Sequence, residues 1–444
     1  MLTASESPGP PGSEQNPIDL ALSLSLGAEP EEAIRWAAAW LKERPTSATG
    51  LLVTSRLLAT LGRSETAQRG FEAAIGRAID QGSLPLAVAG CCDLRDLGLD
   101  PGAQLDRIAS VFAKGSSRLG EHGGRPPDLG SPPRVEPLRD TDLLDAVDAI
   151  VQAACREAER ASGERPSVAR QGLFSALDEP ALRATIEVFG ALTVDRGVAV
   201  IEENTTGNEA FVVARGELEV RRRAPDGTEL LLARLVAGAL FGEMALLSRA
   251  PRAASVVASR PSLILVSTKE ALDAVAAHEP GLGDEIAVYC RRRMMENLVR
   301  TSRILGAVEV PDRPALMERF MTRAYEAGER LIHQGEPSDG LHLIASGEVV
   351  VSTREDDEDL VIATLGVGEV VGEVALVLRR PANANVTAKL PTVTLHLPRE
   401  RFLELVQRHP ALLAELYQLA VKRDEETSSI VAQEATAADD AVLV

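Results

Sequence analysis

Residues 241–256 read FGEMALLSRAPRAASV, and residues 371–386 read VGEVALVLRRPANANV. The two stretches share glycine, glutamate, alanine, leucine and proline at equivalent positions, 130 residues apart. Upstream, glycines recur 131 residues apart, so the register changes by a single residue across the whole match. Matched pairs are Gly197 and Gly328, Gly216 and Gly347, Gly238 and Gly368, Gly242 and Gly372, Glu243 and Glu373, and Pro251 and Pro381. A repeat held over this length predicts two homologous domains in tandem.

Each copy has the composition of short β-strands followed by helices. From about Val194, short Val, Leu and Ile runs alternate with Gly and Asn, which is typical of strands and tight turns. By contrast, residues 18–114 are rich in Ala and Leu, with apolar residues at i, i+3 and i+4 spacing, which predicts helices. Residues 45–75 are similar to a tetratricopeptide unit, and a plain helical bundle is the open alternative.

The predicted fold is therefore multidomain α and β. An all-α, helical-repeat-like region precedes two β-roll (jelly-roll-like) domains with flanking helices. The predicted segments are a disordered lead (1–17), an α-helical region (18–114), a Pro/Gly linker (115–140), a first β domain with flanking helices (141–305), a second β domain (306–424) and a flexible tail (425–444).

Composition narrows the possible functions. The 444 residues carry 47 Lys and Arg against 66 Asp and Glu, a net charge of −19, and only 3% are aromatic. These values disfavour nucleic-acid and anionic-membrane binding. The sequence has no apolar run long enough for a transmembrane helix and no secretory signal pattern, and its four cysteines lack metal-ligand spacing. We therefore expect a cytoplasmic protein with free thiols, no metal site and no catalytic residues.

Three residues of the first copy suit a phosphorylated sugar. Gly242 permits close approach of the backbone, and a helical turn after it directs unpaired N–H groups at an anion. Glu243 can accept hydrogen bonds from a neutral hydroxyl, and the planar guanidinium of Arg252 fits phosphate oxygens. Together they suit a ribose that carries a phosphate.

Residues 241–256 resemble the phosphate-binding cassette of the cyclic nucleotide-binding domain family, and the resemblance extends over about 171–305 and 310–424. It implies that Glu243 binds the ribose 2′-hydroxyl and that Arg252 binds the exocyclic phosphate oxygens. It also implies further ligand contacts, through backbone amides or a hydroxyl, at Gly242, Ala245, Ala253 and Ser255. In the family, a Thr directly after the arginine favours cGMP. Ala253 occupies that position here, so the expected ligand is cAMP, with cGMP less favoured.

The second cassette departs from the family pattern. It keeps Gly372 and Glu373, but Ala382 stands where Arg252 stands in the first copy. Losing the arginine removes a charge-assisted hydrogen bond worth roughly 1.5–3 kcal/mol at each contact. We therefore expect a degenerate second site that serves as a scaffold, a dimer surface or a sensor of something else, unless Arg379 or Arg380 substitutes.

The family resemblance also implies how binding becomes a signal. In the family, the helix after the β-roll moves when the cassette closes, and residues 283–302 fit that helix. Its apolar candidates for capping the base are Tyr289, Met294, Met295 and Leu298, and the alternative is that these residues simply fill a seam between helix and roll.

The tandem arrangement is similar to that of regulatory subunits of cAMP-dependent kinases. We therefore expect a non-catalytic cAMP sensor that relays binding to a protein partner through its N-terminal helices. The alternative is an interaction or assembly protein whose β-rolls are structural and bind no nucleotide. After the second roll no helix-turn-helix pattern follows, so no DNA partner is expected. Homodimerisation stays open.

Overall fold

The computed structural model of the protein describes residues 16–120, 135–160, 167–223, 227–246, 251–302, 308–309, 312, 316, 318–355 and 358–442. The chain divides into two compact units. The first unit consists of Met1–Glu202, Glu209–Gly242 and Ala254–Glu285. The second unit consists of Glu203–Asn208, Glu243–Ala253 and Ile286–Val444, so it includes part of the first cassette.

Helices form the N-terminal part of the first unit, as the sequence predicts. They are α1 (Pro17–Leu26), α2 (Pro30–Glu43), α3 (Ala48–Thr60), α4 (Ser64–Asp80), α5 (Leu84–Asp96), α6 (Gly102–Phe112), α7 (Leu143–Arg160) and α8 (Glu179–Glu187). Neighbouring helices pack as pairs, with Gly62 in a left-handed conformation between α3 and α4. The tetratricopeptide assignment stays a prediction. The part of the predicted lead before Asn16, and most of the predicted linker, lie outside the described residues.

The amphipathic helix predicted after the linker is α7, and its Val147 and Val151 are fully buried. The sequence places it at the flank of the first β domain, whereas in the structure it packs against α4. Arg77 of α4 donates a hydrogen bond to the carbonyl of Ala154 at 3.0 Å. Helix α7 is therefore part of the N-terminal helical layer.

The first β domain is formed by two antiparallel four-stranded sheets. Its strands are β1 (Gly190–Val194), β2 (Ala199–Ile201), β3 (Glu209–Arg215), β4 (Glu217–Arg223), β5 (Glu229–Val236), β6 (Leu240–Phe241), β7 (Ser255–Ala258) and β8 (Ser262–Thr268). They are ordered β1-β8-β3-β6 and β2-β7-β4-β5. The inward faces of both sheets supply the core, in which the rings of Phe211 and Phe241 stack at 5.2 Å. Helices α9 (Lys269–Ala276) and α10 (Pro280–Thr301) follow.

The second β domain repeats this topology strand for strand. Its strands are β9 (Met321–Tyr325), β10 (Arg330–Ile332), β11 (Gly340–Ser346), β12 (Val349–Glu355), β13 (Glu358–Leu365), β14 (Val370–Val371), β15 (Asn385–Ala388) and β16 (Thr392–Pro398). The orders β14-β11-β16-β9 and β10-β15-β12-β13 correspond to those of the first domain with each strand number raised by eight. The predicted tandem pair of β domains is thereby confirmed.

Helices α11 (Glu373–Val377), α12 (Arg399–Arg408) and α13 (Pro410–Val442) complete the second unit. The flexible tail expected from residue 425 is instead helical as far as Val442. Its Ala, Glu and Gln content favours a helix, and an i,i+4 pair between Lys422 and Glu426 supports it. Among the described residues, no helix combines the length and apolarity that a membrane crossing requires.

Charged contacts fasten the N-terminal helices to the first β domain within the first unit. Asp19 of α1 accepts a hydrogen bond from Arg215, the last residue of β3. It also accepts one from Arg260 in the β7–β8 turn, with 2.9 Å between Nε of Arg260 and Oδ2 of Asp19. Arg56 of α3 donates to Asp93 at 2.8 Å and to Thr193 of β1 at 3.2 Å. The helical region is therefore part of the same compact body as the first roll.

Replacing Asp19 with Asn should lower the free energy of unfolding of the first unit by about 3 kcal/mol, because it leaves the guanidinium of Arg215 buried without its counter-charge. Burial already lowers the pKa of Arg215, and Asp19 is the charge that opposes this effect. Urea unfolding followed by circular dichroism measures the change. The control is Glu65→Gln, in the exposed pair with Arg69, which should lower the free energy of unfolding by less than about 0.5 kcal/mol. Equal stability of the two variants would contradict the assigned role of Asp19.

Candidate functional site

The first cassette begins with a tight turn at the end of β6. Gly242 has a φ of +72°, a left-handed conformation that favours glycine, and residues 243–246 form a single 3-10 turn. Farther along, the backbone at Arg252 is fixed by two hydrogen bonds. Its N–H donates to the carbonyl of Thr205 at 2.8 Å, and its carbonyl accepts from the N–H of Asn204 at 2.9 Å. The turn and the arginine are thus each held by backbone geometry.

Glu243 and Arg252, the two predicted ligand-binding side chains, are both buried in the second unit, with 6% and 8% of their surface exposed. Burial raises the pKa of Glu243, while the charges of Arg293 and Arg252 act in the opposite direction. Arg293 of α10 is a residue that the sequence did not single out. A buried carboxylate between two cations is suited to hydrogen-bonding an uncharged hydroxyl.

The other predicted contact residues differ in accessibility. Ala245 is buried, Gly242 and Ser255 are half-buried, and Ala253 is exposed. Ser255 is the first residue of β7. Ala253 follows Arg252 directly, so the two amides of this bend are adjacent in the chain.

Of the four candidates for capping a base, Tyr289 is half-buried, whereas Met294, Met295 and Leu298 are at most 3% exposed. Burial raises the pKa of Tyr289, and the charges of Arg293 and Glu243 also act on it. The thiol of Cys290 lies 3.5 Å from the carbonyl oxygen of Glu243. Tyr289 is therefore close to the cassette and accessible, whereas the three buried apolar side chains fit the packing alternative better.

The second cassette has the same backbone framework without the arginine. Gly372 has a φ of +89°, and a Cβ there would lie 2.5 Å from the carbonyl oxygen of Gly340. The N–H of Ala382 donates to Glu336 at 2.9 Å, and its carbonyl accepts from Gly335 at 2.8 Å. These bonds match those of Arg252 one for one, so Ala382 occupies the position equivalent to Arg252.

A different arginine contacts the glutamate of the second cassette. Arg423 of α13 donates to Oε1 of Glu373 at 2.7 Å, and the Glu373 side chain is only 2% exposed. Burial raises the pKa of Glu373, and Arg423 opposes this rise. Arg380, one proposed substitute, pairs instead with Asp424 of α13. Arg423 is 50 positions from Glu373 in sequence, so no local motif could have revealed the contact.

A cavity of about 410 Å³ lies between the second cassette and α13. Its wall is largely apolar, with Ile332, Val351, Leu365, Val386 and Leu419 among the lining residues. Its polar lining residues are Glu369, Glu373, Asn383, Lys422, Arg423, Glu426 and Thr427. A concave, mostly apolar space with a few convergent polar groups is the usual form of a small-molecule site.

Comparisons with known proteins identify both β domains. Residues 191–279 and 322–409 match the cyclic nucleotide-binding domain family. A cAMP-dependent protein kinase regulatory subunit from Yarrowia lipolytica is 31% identical over 240 residues, 54% of this chain and 60% of that protein. The corresponding protein of Schizosaccharomyces pombe is 32% identical over 237 residues, 50% of this chain and 54% of that protein. The chain thus spans little more than half the length of these curated relatives.

Among solved structures, the regulatory domain of Toxoplasma gondii PKA with cAMP is 24% identical to this chain. The similarity covers 56% of this chain and 92% of that one, with a TM-score of 0.29.

Replacing Arg423 with Met should destabilise the second unit by about 3 kcal/mol, because Glu373 is then buried without a cation. Thermal unfolding of the full chain measures the loss, and Glu373→Gln in the same chain should restore most of it. Lys422→Met, at an exposed neighbouring position, is the matched control and should have little effect. If Arg423→Met and Lys422→Met have the same melting temperature, the pair of Arg423 and Glu373 does not stabilise the second unit.

Proposed function

We propose that this chain, which carries two cyclic nucleotide-binding domains, is a non-catalytic cAMP sensor that relays ligand binding in its first domain to a protein partner. The observation that carries the proposal is the burial of both Glu243 and Arg252 in a cassette of the family pattern, where the charges of Arg252 and Arg293 act on Glu243. A buried carboxylate and guanidinium cost free energy unless a structural or ligand contact compensates them.

The relatives support the choice of ligand and the kind of output. They are named cAMP-dependent protein kinase regulatory subunits, so a protein kinase is the class of partner that we propose. Ala253 after the arginine favours cAMP over cGMP by the family resemblance. A cytoplasmic location and contact with the partner through the N-terminal helices belong to the same proposal.

The second domain should not take the phosphate of a cyclic nucleotide. Ala382 offers no guanidinium, and the cation that contacts Glu373 is Arg423, which comes from α13 rather than from the cassette. Binding of cyclic nucleotide is therefore expected at the first domain alone, with the second cassette closed by its own C-terminal helix.

The relay follows from how the first cassette is held. Residues 243–253 cluster with residues 286–444, which include the C-terminal part of α10 and the second domain. Two contacts illustrate this: Cys290 of α10 with the Glu243 carbonyl, and Ser346 of β11 with the Pro251 carbonyl at 3.4 Å. A ligand that shifts the cassette must therefore also act on α10 and the second domain. The size of the shift is limited by the ligand's differential affinity for the two arrangements.

Calorimetry should show one cAMP bound per chain with micromolar-range affinity, and weaker binding of cGMP. Arg252→Ala should weaken cAMP binding by about 100-fold or more, because two or more charge-assisted hydrogen bonds to phosphate are lost. Glu243→Gln should weaken it less, since an amide oxygen still accepts a hydrogen bond from the ribose.

Arg234→Ala, on the exposed strand β5 of the same domain, is the control and should bind like the wild type. If the wild type binds neither nucleotide, the rolls are structural and the chain is an assembly protein. If Arg252→Ala binds as tightly as the wild type, the assigned site is wrong.

Hydrogen exchange tests the relay separately from binding. With saturating cAMP, amides of residues 283–302 should exchange at least about tenfold more slowly or more rapidly than in the free chain, because cassette closure repositions α10. Residues 84–96 of α5, which lie in the other unit, provide the internal control. Unchanged exchange across 283–302 at full occupancy would refute the relay while leaving the binding intact.

A further inference from the structure

An unassigned cluster of two histidines and a carboxylate lies in the second β domain. His342 of β11 and His396 of β16 are directly opposite each other in the antiparallel register. Their rings are 4.4 Å apart between centroids, and they are 0% and 1% exposed. Asp339, in the turn before β11, completes the cluster, and the ligand atoms of all three residues lie within 4.8 Å of one another.

The distances within the cluster match those of a metal site. Nε2 of His342 is 3.2 Å from Oδ1 of Asp339, and Nε2 of His396 is 3.4 Å from Oδ2. In a tetrahedral zinc site, bonds of about 2.0–2.2 Å place the ligand atoms about 3.3–3.5 Å apart. Small inward movements of the rings would therefore bring three ligands onto one ion.

The ring nitrogens of His396 are poorly satisfied although the ring is buried. Within the part of the chain that the structure describes, Nδ1 has no hydrogen-bond partner, and the contact of Nε2 with Oδ2 of Asp339 at 3.4 Å lacks hydrogen-bond geometry. A buried polar atom without a partner costs about 1–3 kcal/mol.

The surroundings orient the other two ligands. Nδ1 of His342 lies 3.3 Å from the hydroxyl of the buried Thr394, which turns Nε2 toward Asp339. Arg323 donates to Oδ2 of Asp339 at 2.6 Å, which fixes the carboxylate with both of its oxygens facing the histidine pair. Arg323 is 41% exposed, so solvent screens its charge. The ring of Tyr325 packs on that of His342, with 6.1 Å between the ring centroids, and so lies beside the cluster.

Gly340 leaves room beside the ring of His396. A Cβ at Gly340 would lie 2.5 Å from Nε2 of His396 and 2.3 Å from the carbonyl oxygen of Leu397. Any other residue at position 340 would thus push into the volume beside the histidine. The equivalent position of the first domain is Glu209, and neither histidine has a counterpart there, since Phe211 of β3 and Val266 of β8 form the matching cross-strand pair.

We propose that Asp339, His342 and His396 form a site for a divalent transition-metal ion of the Zn²⁺ class, which fastens β11 to β16 in the second domain. Two imidazoles and one carboxylate favour Zn²⁺ over Mg²⁺ or Ca²⁺, which prefer oxygen ligands. None of the three residues belongs to a cassette, although His342 pairs with Val371 at the start of the second one, and the proposal does not depend on cyclic nucleotide binding. The proposal departs from the expectation from the sequence that the chain has no metal site, which stays a prediction.

The test uses the full chain, stripped with a chelator, incubated with Zn²⁺ and freed of unbound metal by gel filtration. Elemental analysis should find about one Zn²⁺ per chain for the wild type. Asp339→Asn and His396→Gln should each bind Zn²⁺ at least about tenfold more weakly, because each removes one of three ligands. His333→Gln, at an exposed histidine of the same domain, is the matched control and should retain the metal.

Thermal unfolding and cobalt spectroscopy make the outcome decisive. Zn²⁺ should raise the melting temperature of the wild type and of His333→Gln, but not that of Asp339→Asn. Co²⁺ in the wild type should give the visible absorption of a four-coordinate ion. Because the side chain of Asp339 is half exposed, we expect Asp339→Asn to fold, and it alone is compared with the wild type if His396→Gln does not fold. A wild type that retains no more Zn²⁺ than Asp339→Asn would overturn the proposal and leave an ordinary buried histidine pair.

Discussion

Burial of a carboxylate at the start of each cassette is the constraint around which both β domains are organised. Glu243 and Glu373 each follow a left-handed glycine, and both are almost entirely removed from solvent. An isolated buried carboxylate is too costly to persist in its charged form, so each requires a nearby cation. The first domain places Arg252 and Arg293 near Glu243, and the second places Arg423 against Glu373.

These two solutions have different consequences for ligand binding. In the first domain one of the two cations, Arg252, comes from the cassette itself. In the second domain the cation belongs to α13, so the same electrostatic requirement is met by docking a helix. Asp424, the next residue, pairs with Arg380 and Asn383 beside the cassette, which adds to the docking. The C-terminal helix is therefore held against the second cassette by the charged contacts of Arg423 and Asp424.

How far the sequence predicts these features depends on whether the interaction is local. The tandem repeat, the strand pattern and the positions of Glu243, Arg252 and Ala382 follow from residues that are close in the chain and are fixed by backbone turns. Arg293 and Arg423 were missed because they reach the cassettes from helices whose sequences carry no trace of that contact. The histidine pair was missed for a similar reason: His342 and His396 are neighbours only after β11 and β16 pair in one particular register. The helical continuation beyond residue 425 was misjudged because small, acidic residues suggest a tail unless tertiary contacts anchor them.

The backbone of the second cassette shows that the family framework does not depend on its arginine. The hydrogen bonds of Ala382 with Gly335 and Glu336 reproduce those of Arg252 with Asn204 and Thr205, although one side chain is a methyl group and the other a guanidinium. The cassette fold is therefore maintained by glycine turns and backbone pairing, and the side chains placed on it are free to diverge. It follows that a shared backbone framework establishes the shape of a site but not its ligand, which only the side chains at each cassette can determine. By that criterion the two cassettes differ, since the first carries Arg252 and the second carries Ala382 with a helix contact from Arg423.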